Sequence, residues 1–187
     1  VKRRGASHRV RADSCGPSGV SRAMAFIEED SVKITVVAVG KLKERFWADA
    51  CAEYVKRLSA YASIKMVEIP DRDPAKTGGE EAGRALEGKA ILAAIPERSH
   101  VVLLDIGGKE RSSEEIASHL NDLMLRGESS ITFVIGGSCG VSSEVRARAD
   151  ERLSFGRITL PHNLARVVLL EQVYRAFKIM RGEPYHK

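Results

Sequence analysis

Apolar residues follow two different periods from residue 33 to the end of the chain. Short runs rich in β-branched residues end at Gly or Pro, which is typical of buried strands. Between these runs, apolar residues recur every three or four positions, as they do in helices that bury one face. The pattern predicts strands at 33–40, 64–69, 101–106, 131–135 and 155–160. It predicts helices at 44–61, 80–94, 113–126, 142–150 and 164–180, with a loop at 71–80.

The predicted strands alternate with helices throughout this part of the chain. Such alternation indicates the α/β class, with a mostly parallel sheet and helices on both of its faces. In sheets of this kind, ligands bind at loops that leave the carboxyl ends of strands. Three loops are therefore candidates for a binding site, at 107–108, 136–140 and 155–161.

The helix predicted at 164–180 is apolar on nearly all sides. Such a helix has to be buried on several faces, either in a core or against a partner subunit. Arg166, Glu171 and Arg175 interrupt the apolar surface, and a lone buried charge is costly. We therefore expect Glu171 to pair with Arg166 or with Arg175.

Residues 1–31 differ in composition from the rest of the chain. They are rich in Arg, Ser, Gly and Ala and have no sustained apolar period, as expected of a disordered extension. A basic RNA-contacting arm and a targeting peptide are two functional interpretations, although the segment lacks the continuous apolar stretch of a secretory signal. A solvated tail is the simpler interpretation, and we expect the folded domain to occupy residues 32–187.

Amino-acid composition limits the number of domains, the expected location and the kinds of binding partner. A hydrophobic content of 43% in 187 residues is enough for the core of one domain. The net charge of +5 permits binding to nucleic acid without requiring it. The three cysteines are widely spaced and form neither a disulfide framework nor a metal-ligand pair, so the cytoplasm is the expected location. No apolar run approaches the roughly 18 residues that a membrane span needs.

Positive charge is concentrated near the end of the chain. From residue 157 onward, basic residues outnumber the acidic Glu171 and Glu183; they are Arg157, Arg166, Arg175, Lys178, Arg181 and Lys187. This excess is a candidate contact surface for the phosphates of a nucleic acid. A solvated face with salt bridges explains the charges equally well.

The glycine-rich motifs exclude two nucleotide-binding signatures. The stretch 136–140 lets a ligand approach the backbone closely, but it does not form the G-x-G-x-x-G fingerprint of a dinucleotide site. Gly108 and Lys109 resemble the end of a phosphate-binding P-loop. However, Leu103 and Glu110 stand where that motif needs Gly and Ser or Thr.

Two further groups of side chains are weak candidates for chemistry. Cys139 could act as a nucleophile with His162 as its base, but the sequence offers no carboxylate clearly linked to the pair to orient it. We therefore interpret both as turn residues, which is the simpler interpretation. His8, His100 and His119 do not have the spacing of a metal motif, and no metal site is predicted.

Five segments resemble the RlmH family of SPOUT-class methyltransferases, and the resemblance covers residues 32–187. The segments are 32–40, Leu104-Asp105-Ile106 with Gly108-Lys109, 133–140, 158–162, and 166–187 with its Tyr185-His186-Lys187 ending. The resemblance implies methylation of N3 of a pseudouridine in large-subunit (23S) ribosomal RNA, on the assembled ribosome. It also implies a C-terminal trefoil knot and a homodimer in which one subunit's tail completes the other's site.

The same resemblance assigns site residues. The cofactor would be S-adenosylmethionine, and its contacts would be Leu104, Gly136, Phe155, Gly156, Arg157, Ile158, Thr159 and Leu160. The chemistry of methylation at N3 adds a hypothesis of our own: Arg166, Tyr185 and His186 are the candidate catalytic residues, which would accept the N3 proton or stabilise the developing anion. Gly107 and Cys139 depart from the residues usual in the family. Two alternatives stay open: a SPOUT enzyme acting on another RNA such as tRNA, and a ribosome-binding factor without catalysis.

Overall fold

A five-stranded parallel sheet forms the centre of the structure, a computed structural model that describes residues 32–185. The strands are β1 (Lys33–Val39), β2 (Ser63–Ile69), β3 (His100–Glu110), β4 (Ser130–Ile135) and β5 (Glu151–Ser154). Their order is β2-β1-β4-β3-β5, and neighbours pair in parallel. The predicted α/β fold with a parallel sheet is confirmed. The extension predicted at 1–31 and the candidate residue His186 lie outside the described residues.

Helices cover the sheet on both faces, as predicted, which buries its central strands. They are α1 (Arg45–Leu58), α2 (Pro74–Thr77), α3 (Glu80–Ala94), α4 (Ser113–Leu125), α5 (Ser143–Arg148) and α6 (His162–Met180). Along β1, Ile34 and Val36 contribute to one core layer, together with side chains of α1, α4 and α6. Val37 and Val39 contribute to the other layer, with side chains of α3 and α5.

Capping residues fix the ends of α4 close to where they are predicted. The Ser112 hydroxyl accepts a hydrogen bond from the Glu115 backbone N–H at 3.2 Å, and the Glu115 carboxylate accepts one from the Ser112 N–H at 2.7 Å. This reciprocal pair satisfies two N–H groups that a helix start leaves without partners. Gly127 follows the helix with a φ of +88°, a conformation that a Cβ disfavours.

The prediction of a fifth strand at 155–160 is wrong, because β5 spans Glu151–Ser154. Gly156 has a φ of +104° and turns the chain out of the sheet immediately after Ser154. The apolar residues Phe155, Ile158 and Leu160 line a cavity instead of joining a strand ladder. Their apolar run therefore imitates the sequence pattern of a buried strand.

The prediction that the third strand ends at 106 is also wrong, because β3 continues to Glu110. The ladder with β5 shifts register between Leu104 and Lys109, and both of these residues are paired with Leu153. Gly108 lies in this irregular stretch, where an added Cβ would come within 2.8 Å of the Arg152 and Leu153 carbonyl carbons. A glycine that permits close backbone approach within a strand thus looked like the start of a loop. The predicted loop at 71–80 also contains the short helix α2.

Candidate functional site

A cavity of about 610 Å³ opens at the carboxyl ends of β4 and β5, beside the middle of β3. This volume lies in the range of small-molecule sites, and ligands of parallel sheets bind at this edge. The lining comes from the middle of β3, the ends of β4 and β5, the segments that follow β4 and β5, α5 and the start of α6, and includes Leu104, Asp105, Ile106, Ile135, Gly136, Gly137, Ser138, Gly140, Val141, Arg146, Leu153, Ser154, Phe155, Gly156, Ile158, Thr159, Leu160, Pro161, His162 and Ala165.

The wall after β4 depends on glycine. A Cβ at Gly136 would lie 2.7 Å from Val141 Cγ1, and one at Gly137 would lie 3.0 Å from both Glu87 Oε2 and Val39 Cγ1. Such contacts are too short, so larger residues would displace the wall. Gly137 and Gly140 also form an isolated antiparallel bridge, and the Gly140 φ of +78° closes this tight loop.

The wall after β5 is held by a local turn. The Ser154 hydroxyl donates a hydrogen bond to the Gly156 carbonyl and accepts one from the Gly156 N–H, each at 3.1 Å. Ser154 is itself buried, which anchors the turn to the sheet. Ile158 is exposed by 65% although it lines the cavity, and thus leaves apolar surface available to a ligand.

Ionic contacts surround the part of the wall that β3 forms. The Asp105 carboxylate pairs with Arg146, and Arg152 Nη1 lies 3.7 Å from its Oδ2. The same carboxylate accepts a hydrogen bond from the Gly107 N–H at 3.1 Å. Asp105 and Arg146 both line the cavity, so its otherwise largely apolar surface has a charged edge. Sequence reasoning did not assign Asp105 to the site, although its position directly after the apolar run 101–104 is a usable signal.

The predicted cofactor contacts converge on this one cavity. Leu104, Gly136 and the segment 155–160 all contribute to its lining, except Arg157. The contact of these residues with a cofactor stays a prediction.

Arg166 is fully buried and lies outside the cavity lining. Its Nη2 donates hydrogen bonds to the carbonyl oxygens of Val39 at 2.9 Å and Gly40 at 2.6 Å. Its Nη1 donates to Glu68 Oε1 at 2.9 Å, and that oxygen also accepts a hydrogen bond from the Leu42 N–H at 3.0 Å. The guanidinium therefore joins α6 to the ends of β1 and β2. The catalytic role implied for Arg166 stays a prediction.

His162, the first residue of α6, has a place in the cavity wall. Its ring packs against Gly40, where an added Cβ would lie 2.7 Å from Nε2. Burial, together with the nearby Arg166 charge, lowers the pKa of His162 below its ordinary value. The simpler interpretation of His162 as a turn residue thus overlooked a neutral imidazole at the cavity.

Tyr185 packs on α6 and is not part of the cavity lining of the same chain. Its ring lies edge-on to Tyr174 at 5.0 Å, and the Arg175 guanidinium lies 4.7 Å from the ring centre. Its hydroxyl donates a hydrogen bond to Glu171 Oε1 at 3.4 Å. Burial and the Glu171 charge raise the pKa of Tyr185 to about 12, so this hydroxyl keeps its proton at neutral pH.

Glu171 pairs with Arg175, the second of the two predicted partners. Lys178 pairs with Glu183 and Arg166 with Glu68, so ion pairs take up much of the positive charge near the chain end. Another basic segment lies directly after β1. There Lys41, Lys43 and Arg45 are exposed beside Gly40, the residue against which His162 packs.

Residues 32–186 match the family described as "Predicted SPOUT methyltransferase". The chain belongs to the SPOUT methyltransferase family. Relatives named "Ribosomal RNA large subunit methyltransferase H" from Listeria monocytogenes and Carboxydothermus hydrogenoformans are each 53% identical over 159 residues, which is 83% of this chain and all of each relative. A relative of the same name from Desulfitobacterium hafniense is 50% identical and covered to 99%. The resemblance to the RlmH family is confirmed, and with it the prediction of an RNA methyltransferase.

Two solved structures of SpoU-type proteins are similar to the chain. One is the "A. aeolicus TrmH/SpoU tRNA modifying enzyme", 14% identical, with a TM-score of 0.40 and 89% of each chain covered. The other is the SpoU methyltransferase AviRb from Streptomyces viridochromogenes in complex with the cofactor AdoMet, 13% identical, with a TM-score of 0.39 over 83% of this chain and 60% of that one. The trefoil knot stays a prediction. Among residues 32–185, none of the helices is both long and apolar enough to cross a membrane.

Proposed function

We propose that this SPOUT methyltransferase transfers a methyl group from S-adenosylmethionine to N3 of a pseudouridine in 23S ribosomal RNA. The name shared by relatives that are 50–53% identical supports a large-subunit ribosomal RNA substrate. The observation that carries the proposal is the convergence of three separate segments, at Leu104, Gly136 and 155–160, on one cavity. A ribosomal substrate agrees with the cytoplasmic location expected from the cysteines.

The cavity residues fit S-adenosylmethionine. Leu104, Ile135 and Leu153 offer an apolar surface to a flat ring, and Gly136 keeps the wall free of a side chain that would collide with Val141. Leu104, Gly136 and the segment 155–160 would hold the cofactor. When bound, it supplies an electrophilic methyl group carried on a sulfonium.

The protein contributes orientation and removal of a proton. Fixing the nucleophilic nitrogen in line with the methyl group lowers the barrier through proximity. The N3 proton must leave before or during attack, and a neutral side chain at the cavity can accept it. His162 is such an acceptor, since its pKa is lowered and it lines the cavity. Asp105 is less available because Arg146 and Arg152 already surround its carboxylate.

A homodimer would bring the tail of one subunit to the cavity of the other. Tyr185 is directed toward Tyr174 and Arg175 of its own chain, away from its own cavity lining. Meanwhile Leu164, Val167 and Val168 of α6 remain partly exposed in the single chain. Burial of these apolar residues by a second α6 would stabilise such a dimer. In this arrangement, Tyr185 and His186 would serve the partner's site.

The RNA would bind over the basic loop at the cavity. Lys41, Lys43 and Arg45 are exposed next to Gly40, and Arg157 is exposed in the loop that lines the cavity. Each phosphate neutralised by such a side chain releases counterions, so binding should weaken steeply with salt.

Methyl transfer to defined RNA substrates tests this function. Tritiated S-adenosylmethionine would be incubated with the enzyme and large-subunit particles from a strain that lacks the modification, with naked 23S RNA and tRNA in parallel. The proposal predicts label in the particles. Label in tRNA alone would favour a SPOUT enzyme with another substrate, and tight binding to particles without label would favour an assembly factor.

A further inference from the structure

Two histidines and a glutamate meet at the ends of β3 and β5 that lie opposite the cavity. His100 is the first residue of β3, Glu151 the first residue of β5, and His119 lies on α4. Glu151 Oε1 lies 3.2 Å from His100 Nε2 and 2.6 Å from His119 Nε2. All three potential ligand atoms lie within 4.8 Å of one another. Both imidazoles thus direct the same ring nitrogen at one carboxylate oxygen.

We propose that His100, His119 and Glu151 form a binding site for a divalent transition-metal ion, with Zn²⁺ the best match. Two imidazoles and one carboxylate are a ligand set that Zn²⁺ uses, with a water molecule in the fourth position. Zinc–ligand bonds of about 2.0–2.2 Å separate tetrahedral ligand atoms by roughly 3.3 Å. The two separations from Glu151 Oε1, at 3.2 and 2.6 Å, need to open by less than about 1 Å to reach that value, and the remaining pair of ligand atoms lies within 4.8 Å.

The surroundings of the cluster suit a metal ion. Arg111 Nη2 donates a hydrogen bond to Glu151 Oε2 at 2.8 Å, which fixes the carboxylate and leaves Oε1 directed at the two histidines. Ligating carboxylates are commonly held by such an outer hydrogen bond. The side chains of His100, His119 and Glu151 are exposed by 18%, 28% and 16%, so the site is sheltered but still reachable from solvent.

The position of the cluster indicates a structural role. His100 and the cavity residue Leu104 are four residues apart on β3, or about 13 Å along the strand. A metal there would tie α4 to the starts of β3 and β5. Because β5 leads directly into the cavity segment after Ser154, this link would stabilise the cavity wall without touching its ligand. Sequence spacing gave no metal motif, since each ligand belongs to a different element.

Cobalt spectroscopy tests the proposal. The chelator-treated full-length protein would be titrated with Co²⁺, which gives strong visible bands only in tetrahedral or five-coordinate sites with protein ligands. We expect one equivalent to bind, Zn²⁺ to displace it, and the melting temperature to rise to a plateau with added Zn²⁺. Both His119→Ala and the nearly isosteric Glu151→Gln should reduce affinity at least tenfold.

Two variants at other positions serve as controls for the specificity of Co²⁺ binding. Cys139→Ser and His162→Ala remove potential ligands elsewhere and should leave the Co²⁺ spectrum unchanged. If His119→Ala fails to fold, Glu151→Gln decides, since its amide can still accept the histidine hydrogen bonds. A wild-type protein without visible bands, or a spectrum unaffected by Glu151→Gln, would overturn the proposal and leave a metal-free hydrogen-bonded cluster. Neither result depends on methyltransferase activity.

Discussion

Replacement of Arg166 by Met removes the buried guanidinium but keeps a side chain of similar length. The carbonyl oxygens of Val39 and Gly40 then lose their donor inside the protein. A buried acceptor without a partner costs about 1–3 kcal/mol. Glu68 also loses its partner, but its side chain is 38% exposed, so water compensates much of that loss.

We expect Arg166→Met to lower the free energy of unfolding by about 2–6 kcal/mol, because two buried carbonyl oxygens each lose a donor at about 1–3 kcal/mol. Domains of this kind have a total stability of about 5–15 kcal/mol, so the loss is large. Urea denaturation followed by circular dichroism measures it through the shift in midpoint. Arg166→Lys keeps the charge but cannot reproduce all three hydrogen bonds, and should give an intermediate shift.

Arg57→Met is the matched control. Arg57 lies on the surface of α1 and pairs with Glu53 one turn away, so its loss should leave the urea midpoint unchanged. If Arg166→Met also left the midpoint unchanged while abolishing methyl transfer, the structural account of Arg166 would be refuted and the catalytic role predicted for it from the sequence would be favoured.

Three further predictions concern the cavity and its partner. Gly136→Ala should weaken S-adenosylmethionine binding about tenfold by calorimetry, since the new Cβ would meet Val141. Wild-type methyl transfer should decline as acid protonates His162, at a pH below the ordinary histidine range, and His162→Gln should remove that limb of the pH profile. Finally, mixing Gly136→Ala subunits with subunits truncated after Glu183 should restore activity, because one site of each heterodimer would combine an intact cavity with an intact tail.

For each of these three predictions, a specific result would contradict it. Gly107→Ala is the control for Gly136→Ala, since its Cβ would meet only Asp105 Oδ1 at 3.8 Å; equal effects of the two would argue against a cofactor in the cavity. An unchanged acid limb in His162→Gln would assign the titration to another group. Mixed subunits that stay inactive, with exchange verified by mass spectrometry, would mean that the tail acts within its own chain.

The lowered pKa of His162 also links stability to pH. The folded protein holds this ring neutral, whereas the unfolded chain binds a proton at the ordinary pKa of about 6.5. Stability should therefore fall as the pH decreases from that value through the lowered folded pKa. His162→Gln should reduce this part of the pH dependence, as measured by urea midpoints across the acid range.

The pattern of apolar residues predicted the strands correctly where both faces of a strand are buried. The strands β1 and β4 are covered on both faces, so their continuous apolar runs had one interpretation. The apolar run at 155–160 had two, because residues that line a ligand cavity are as apolar as residues of a strand. Gly108 was misread for a related reason, since close backbone approach and a turn both require glycine.

The sequence pattern could not predict side-chain partners that lie far apart in the chain. The sequence offered Glu171 as the partner of Arg166, because the two residues are close along the chain. In the structure Arg166 pairs instead with Glu68, which is 98 residues away. The cluster of His100, His119 and Glu151 likewise joins three elements that no motif connects. The cavity residues were found in advance because parallel sheets gather their loops at one edge and because the chain resembles a known family.

Mapping of the methylated nucleotide tests the central claim most directly. Large-subunit particles lacking the modification would be incubated with enzyme and S-adenosylmethionine, and nuclease fragments of the 23S RNA analysed by tandem mass spectrometry. The account predicts one added methyl group, on N3 of a pseudouridine, formed in about tenfold lower yield by the Gly136→Ala enzyme at limiting cofactor. A methyl group on a ribose or on another base, or none despite cofactor binding, would contradict it.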